Sequence, residues 1–195
     1  MLILVTGSPC TGKTTSSKEL GKILKMGVLH ITDFVESNAG MLGGRFDKRM
    51  DSELVDVQKL GKALRGECRK HAGLIIEGHL ACEVRLPADY VFVLRCRPDI
   101  LETRLRKREY SVRKVEENLL SEMLDYCLQK AEANCPESNI IQIETAGSTA
   151  GKNAKRMAGI VRGAGRRERG EKVNYTSYLI RHLGLRNGRR QKKSH

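Results

Sequence analysis

At 195 residues the chain has room for one domain with a full apolar core and a short appendage, and 39% of it is hydrophobic. It holds no run of eighteen or more apolar residues, which excludes a membrane-spanning helix, and the opening MLILVTG carries no basic leader, so a cytoplasmic location is expected. The net charge of +13 is lopsided: residues 151–195 carry fourteen Lys or Arg against two acids, Glu168 and Glu171, leaving 1–150 almost neutral.

The apolar run Leu2–Thr6 predicts a first strand. Behind it, GSPCTGKT fits the G-x-x-x-x-G-K-[ST] phosphate-binding loop through Gly7, Gly12, Lys13 and Thr14, and helical spacing follows at Leu20, Ile23 and Leu24. Strand, loop and helix form the context that this motif needs. Backbone N–H groups from Ser8 to Thr15, those of Cys10, Thr11 and Thr15 among them, would surround the phosphate oxygens of a nucleoside triphosphate. Lys13 would sit between the β- and γ-phosphates and the Thr14 hydroxyl would hold Mg²⁺. Cys10 reads either as a thiol activated by Lys13 and the helix N-terminus or as a small residue that fits there.

Val28–Ile31 predicts a second strand. The forty or so residues after it open loosely, with three glycines, and close as a helix with Val57, Leu60, Leu64 and Cys68 on one face and Asp56 at the N-cap. Within this insertion Asp33, Arg45 and Arg49 are candidates for binding the acceptor, and each also suits a structural role. Leu74–Ile76 predicts a third strand, ending at Glu77, where an acid helps hold Mg²⁺ through water. His79 would share that neighbourhood, positioning a water or sensing the γ-phosphate, or serve as a hydrogen-bonded loop residue.

Tyr90–Leu94 and Ile140–Ile143 predict the fourth and fifth strands, and short apolar runs alternating with helices imply an α/β fold with a parallel sheet covered on both faces. Between these two strands lie a helix over PDILETRLRKREY and a second from about Ser111, with Val115, Leu119, Met123, Cys127 and Ala131 four apart. Arg104 and Arg108 share a face of the first, suited to a triphosphate and an adenine ring or to a solvated basic surface. A further helix spans Lys152–Val161, and RGAGRRERGEKVN then reads as a linker. Tyr175, Tyr178, Leu179, His182 and Leu183 return to helical spacing, and RNGRRQKKSH, without an apolar residue, is expected to be disordered. The six cysteines include no C-x-x-C pair, which argues for reduced thiols rather than a zinc site or disulfides. No N-K-x-D sequence for guanine is present.

GSPCTGKTT, Val55–Asp56, IIEGHLA, RLRKREY, KVEENLLSEMLD and IQIETAG, in this order and spacing, resemble one family over about residues 1–160. It is the atypical adenylate kinase family of small ribosomal subunit assembly, known in animals as adenylate kinase isoenzyme six or the coilin-interacting nuclear ATPase, and the E-x-H form looks archaeal. The resemblance implies a P-loop nucleoside monophosphate kinase domain over 1–163, with a five-stranded parallel sheet, an acceptor segment near 30–53 and a short lid near 107–117. It implies that Arg108 is the lid arginine on ATP. Glu77 and His79 match a D-x-H motif linked to phosphoryl transfer and to ATP hydrolysis. It further implies AMP as acceptor and a small-subunit ribosomal protein as partner. Cys10 departs from a usual glycine, Glu77 from an aspartate, and the extension 164–195 lies outside the family core.

The basic extension suggests rRNA phosphate as a second partner, with Tyr175 and Tyr178 stacking on unpaired bases; docking of Tyr175, Tyr178 and Leu179 on the core is the alternative. The expected activity is Mg²⁺-dependent transfer from ATP to AMP together with ATP hydrolysis, in small-subunit rRNA maturation. A P-loop kinase with another acceptor and a nucleotide-switched RNA or ribosomal-protein chaperone are the competing readings.

Overall fold

The computed structural model describes residues 1–42, 45–47, 52–163 and 172–184, with the backbone alone for 45–47 and 52–54. The strands are β1 (Leu2–Thr6), β2 (Gly27–His30), β3 (Arg45–Asp47), β4 (Ser52–Leu54), β5 (Leu74–Glu77), β6 (Tyr90–Arg95) and β7 (Ile140–Glu144). The α-helices are α1 (Lys13–Leu24), α2 (Ile31–Ser37), α3 (Ala39–Leu42), α4 (Val57–Lys70), α5 (Pro98–Arg106), α6 (Val112–Met123), α7 (Tyr126–Asn134), α8 (Ala150–Val161) and α9 (Thr176–His182). The main sheet is parallel in the order β2-β5-β1-β6-β7, which puts β1 in the middle. The chain turns to opposite sides of β1 before and after β5, so the loops at its carboxyl end open into the crevice where such sheets bind ligands.

Strand side chains alternate between two layers, as the period of two requires. Leu2, Leu4, Leu74, Ile76, Val91 and Val93 face α2, α4 and α7 through Ile31, Val35, Leu60, Leu64, Cys127 and Ala131. Ile3, Val5, Ile75, Phe92, Leu94 and Ile143 face α1 and α8 through Leu20, Ala154 and Met157. Asp56 caps α4 as its position predicts, accepting the N–H groups of Gln58 and Lys59 at 3.0 Å.

Three expectations need correction. The helix after Ser111 is two helices, because Asp125 takes the left-handed conformation at φ 56° and breaks the run. Its apolar stripe serves two cores: Val115, Leu119 and Met123 pack with Cys96, Leu101 and Leu105, whereas Cys127 and Ala131 join the layer of α4. The loose insertion holds α2, α3 and an antiparallel pair, with Arg45 opposite Leu54 and Asp47 opposite Ser52. Tyr175 is only 5% exposed, within the Cys96–Leu105 cluster, so it is not presented for stacking on bases.

A full charge lies at the centre of this third cluster's edge. Arg95, at the end of β6, is 1% exposed. Its Nε donates to Glu122 Oε1 at 2.8 Å, its Nη2 to the Glu122 carbonyl at 3.0 Å and to the Asp125 carboxylate, and its Nη1 to Gln142 Oε1 at 3.0 Å. Glu122 Oε2 accepts the Ser8 hydroxyl at 2.5 Å. An apolar strand that ends in Arg, followed on a later helix by a buried Glu, is thus what ties the phosphate-loop residue Ser8 to the sheet. Replacing Glu122 with Ala is expected to cost about 3 kcal/mol, the lower end for breaking a buried ion pair, because Asp125 and Gln142 still face the guanidinium. The check is the urea denaturation midpoint; an unshifted midpoint contradicts it.

Candidate functional site

The phosphate loop joins β1 to α1 and lies between the ends of β5 and β6. Gly7 adopts φ 143°, and a Cβ there would meet the Leu94 carbonyl oxygen at 2.3 Å, so only glycine allows the loop to leave the sheet at this angle. Cys10 stands at φ 66°, a left-handed conformation that glycine adopts without strain and a side-chain-bearing residue does not. The Thr11 hydroxyl donates to the Ser8 carbonyl at 2.9 Å and that of Thr15 to the Gly12 carbonyl at 3.1 Å. Lys13 is buried at the start of α1, its Nζ folded back to the Ser8 carbonyl at 2.8 Å, and burial lowers its pKa.

On one flank of the loop, β5 presents Glu77. The register pairs His30 of β2 with Glu77 and Glu77 with Val5 of β1, which fixes what can reach the carboxylate. Its Oε1 accepts the Thr14 hydroxyl at 3.0 Å and lies 2.7 Å from His30 Nδ1. Its Oε2 is buried and, among the described residues, has no hydrogen-bond partner. A buried carboxylate oxygen is costly without a partner, and a hydroxyl and a carboxylate side by side make an oxygen donor set of the kind Mg²⁺ accepts, so these residues fit that ion. His30 is the member of this group that the sequence did not single out; its signal was an imidazole at the carboxyl end of β2, the edge strand beside Glu77.

His79 opens the 3₁₀ turn His79–Cys82 that follows β5. Its Nδ1 lies 3.3 Å from the Gly7 carbonyl and 3.5 Å from Cys127 Sγ, and its ring stacks on Tyr126. Burial, then the charge of Lys13, holds its pKa below the usual value, so the imidazole is neutral at pH 7.

On the other flank lies a cleft of about 400 Å³, lined by Cys10, Thr11, Gly12, Thr15, Arg104, Arg108, Thr145, Ser148 and Asn153. Arg104 donates to the Cys10 carbonyl at 3.4 Å and to the Thr145 carbonyl at 3.3 Å, joining the phosphate loop to the segment after β7. Arg108 is exposed and lies in the turn beyond α5, not on the helix itself, so it reaches the cleft from the short connection to α6. Ser148 and Asn153, and Thr145 within the IQIETAG stretch, are further lining residues that the sequence did not single out for the site; the fold brings them in. A larger groove of about 930 Å³ runs between α1 and the start of α8, but it holds little of the phosphate loop. Asp33 stands exposed in the first turn of α2, favourable to that helix end. Arg49 and the side chain of Arg45 lie outside the described residues.

The AAA domain family matches residues 3–125. The chain is 39% identical over 137 residues to a Methanocaldococcus jannaschii protein named "Putative adenylate kinase", covering 70% of this chain and 75% of that one. It is 36% identical over 163 residues to a Natronomonas pharaonis protein of the same name, covering 84% and 91%. Its fold is similar to that of shikimate kinase from Acinetobacter baumannii, with a TM-score of 0.59 at 16% identity over 84% of this chain and 94% of that one. Shikimate kinase from Aquifex aeolicus gives 0.55 at 12% identity over 84% and 98%.

Thiol chemistry reports directly on the cleft. Cys96 is fully buried and burial pushes its thiol up to about 11, so it stays unreactive in the folded protein at pH 8. Cys10 is half-exposed at the cleft wall. Iodoacetamide at pH 8 is expected to modify Cys10 and spare Cys96, with Mg²⁺–ATP slowing the Cys10 reaction; peptide mass spectrometry reads both rates, and a Cys10 rate indifferent to ATP contradicts the assignment of the cleft.

Proposed function

Since the chain belongs to the adenylate kinase-related family of these archaeal proteins and to the AAA domain family, we propose that it transfers the γ-phosphoryl group of ATP to AMP, yielding two ADP, and hydrolyses ATP when no acceptor is in place. The observation that carries this reading is the placement of the phosphate loop between Glu77, one oxygen of which has no partner among the described residues, and the Arg104–Arg108 cleft. ATP in that cleft would set its base end near Thr145, Ser148 and Asn153 and its phosphates over the loop from Gly7 through Cys10, Thr11 and Gly12 to Thr15.

Lys13 would then exchange the Ser8 carbonyl for phosphate oxygen, a short movement for a side chain already folded over the loop. Thr14 and Glu77 would hold Mg²⁺, which neutralises phosphate charge when bound. Arg108, on the lid turn, would meet the charge that develops on the transferring group, while Arg104 keeps loop and base segment in register. The acceptor would enter beside the 30–53 segment, where Asp33, Arg45 and Arg49 are its candidate contacts. His79, held neutral, is suited to orienting a water for hydrolysis. Positioning and electrostatics supply most of the rate in such transfers, so no strong base is required.

The excess positive charge of 151–195 supports contact with rRNA and a small-subunit ribosomal protein, and with it a role in subunit maturation in the cytoplasm.

Separating ADP from inorganic phosphate, with and without AMP, tests the chemistry. AMP-dependent ADP formation is expected, and Lys13→Ala is expected to lose at least about a hundredfold in both transfer and hydrolysis, the scale of losing a charge donor to the transition state. Phosphate release unaffected by AMP, without ADP from AMP, refutes the kinase reading. If the extension binds single-stranded rRNA through about five phosphates, log affinity falls against log salt with a slope near about −3.5; salt-independent binding refutes that partner.

A further inference from the structure

The segment 172–184 adds no strand to the sheet and no residue to the phosphate loop, yet one of its side chains is bonded to Glu144, the residue that precedes Thr145 of the cleft wall. Tyr175 is 5% exposed, and its hydroxyl donates to Glu144 Oε2 at the end of β7. The other oxygen of the same carboxylate, Oε1, accepts the Ala146 N–H at 2.8 Å and the Arg97 N–H at 3.3 Å. Glu144 thereby divides its two oxygens between the C-terminal segment and the loop that lines the base end of the cleft. Beside it, the Thr145 hydroxyl and N–H both donate to the Arg95 carbonyl, at 2.8 and 2.9 Å, and the Thr145 carbonyl accepts from Arg104. Arg104 in turn reaches the Cys10 carbonyl. The Tyr175 ring lies 5.1 Å from the Arg95 guanidinium, within cation–π range.

Filling the apolar cluster of α5 and α6 needs only the ring. A phenylalanine would do that, whereas a buried hydroxyl aimed at a carboxylate has a directional requirement that packing does not impose. Tyr175, at the N-cap of α9, is thus linked to the phosphate loop through Glu144, the adjoining Thr145 and Arg104.

We propose that Tyr175 is a positioning residue for ATP: its hydroxyl fixes Glu144, and through Glu144 the Thr145–Ser148 loop against which the base end of the nucleotide lies. The inference rests on the reading that the Arg104–Arg108 cleft takes ATP, and it concerns the donor side alone. It assigns the C-terminal segment a part in nucleotide affinity that is separate from the basic charge around it.

Three full-length proteins test it: wild type, Tyr175→Phe and Tyr178→Phe. The second variant removes a neighbouring hydroxyl that lies 3.5 Å from exposed Asp99. Calorimetry with Mg²⁺–ATP and with AMP gives the dissociation constants, and thermal denaturation without nucleotide monitors the fold. Tyr175→Phe is expected to weaken ATP about five-fold, the scale of one ordinary hydrogen bond, and to lower the melting temperature by only about 2–4 °C, with AMP binding unchanged and Tyr178→Phe like wild type. Equal ATP affinity in wild type and Tyr175→Phe overturns the proposal. So does parallel weakening of ATP and AMP, or equal loss in both variants, since each marks a merely structural segment. If the wild type binds ATP but neither binds nor phosphorylates AMP, the kinase reading fails while the ATP comparison still decides the role of Tyr175.

Discussion

Arg95 carries its charge in a place almost closed to water, and that charge can stay there only while several separate parts of the chain hold their positions around it. Glu122 comes from α6, Asp125 from the break after it, Gln142 from β7, and the Tyr175 ring from the C-terminal segment. Desolvating a guanidinium costs several kcal/mol, so any rearrangement that leaves it unpaired is strongly disfavoured. Glu122 spends its second oxygen on Ser8. The geometry of the phosphate loop is therefore anchored from behind by an ion pair that takes no part in holding phosphate.

The loop itself concentrates conformations that ordinary residues avoid. Gly7 and Gly12 both take positive φ, and Cys10 does so with a side chain attached, at a cost of about 1–3 kcal/mol. That strain is sustained because the loop is held at several points, by the Arg104 bond to Cys10, by Glu122 on Ser8, and by Thr11 on Ser8. A loop already bent to its working shape loses little further entropy when it closes on a polyanion.

Local chemistry explains which parts were legible in the sequence. The strands were legible because an inner parallel strand is apolar on both faces, as LILVT and YVFVLR are, and the phosphate loop because its residues act where they stand. Asp56 was legible as a cap for the same reason. The partition of Val115–Ala131 into two helices was not, since an apolar residue every fourth position satisfies one long helix as well as two short ones facing different cores. Arg95 with Glu122, His30 with Glu77, and Tyr175 with Glu144 are pairs distant in sequence; the strand order brings His30 to Glu77, and helix packing on the sheet brings the other two together. Tyr175 also shows why composition misleads: surrounded by basic residues, it reads as part of a nucleic-acid surface, yet it is packed inside.

The central position of β1 has a consequence for how the molecule is made. Leu2 pairs with Leu74 and Ile3 with Tyr90, so the first strand synthesised must wait for much of the chain before either neighbour exists. Until then LILV, apolar on both faces, has no partner. Parallel pairings over such separations form slowly, because the loop-closure entropy is lost before the contacts are gained. The nascent protein accordingly passes through a stage in which this apolar segment and its phosphate loop are both without support, until β5 and β6 have emerged, and assembly then competes with aggregation.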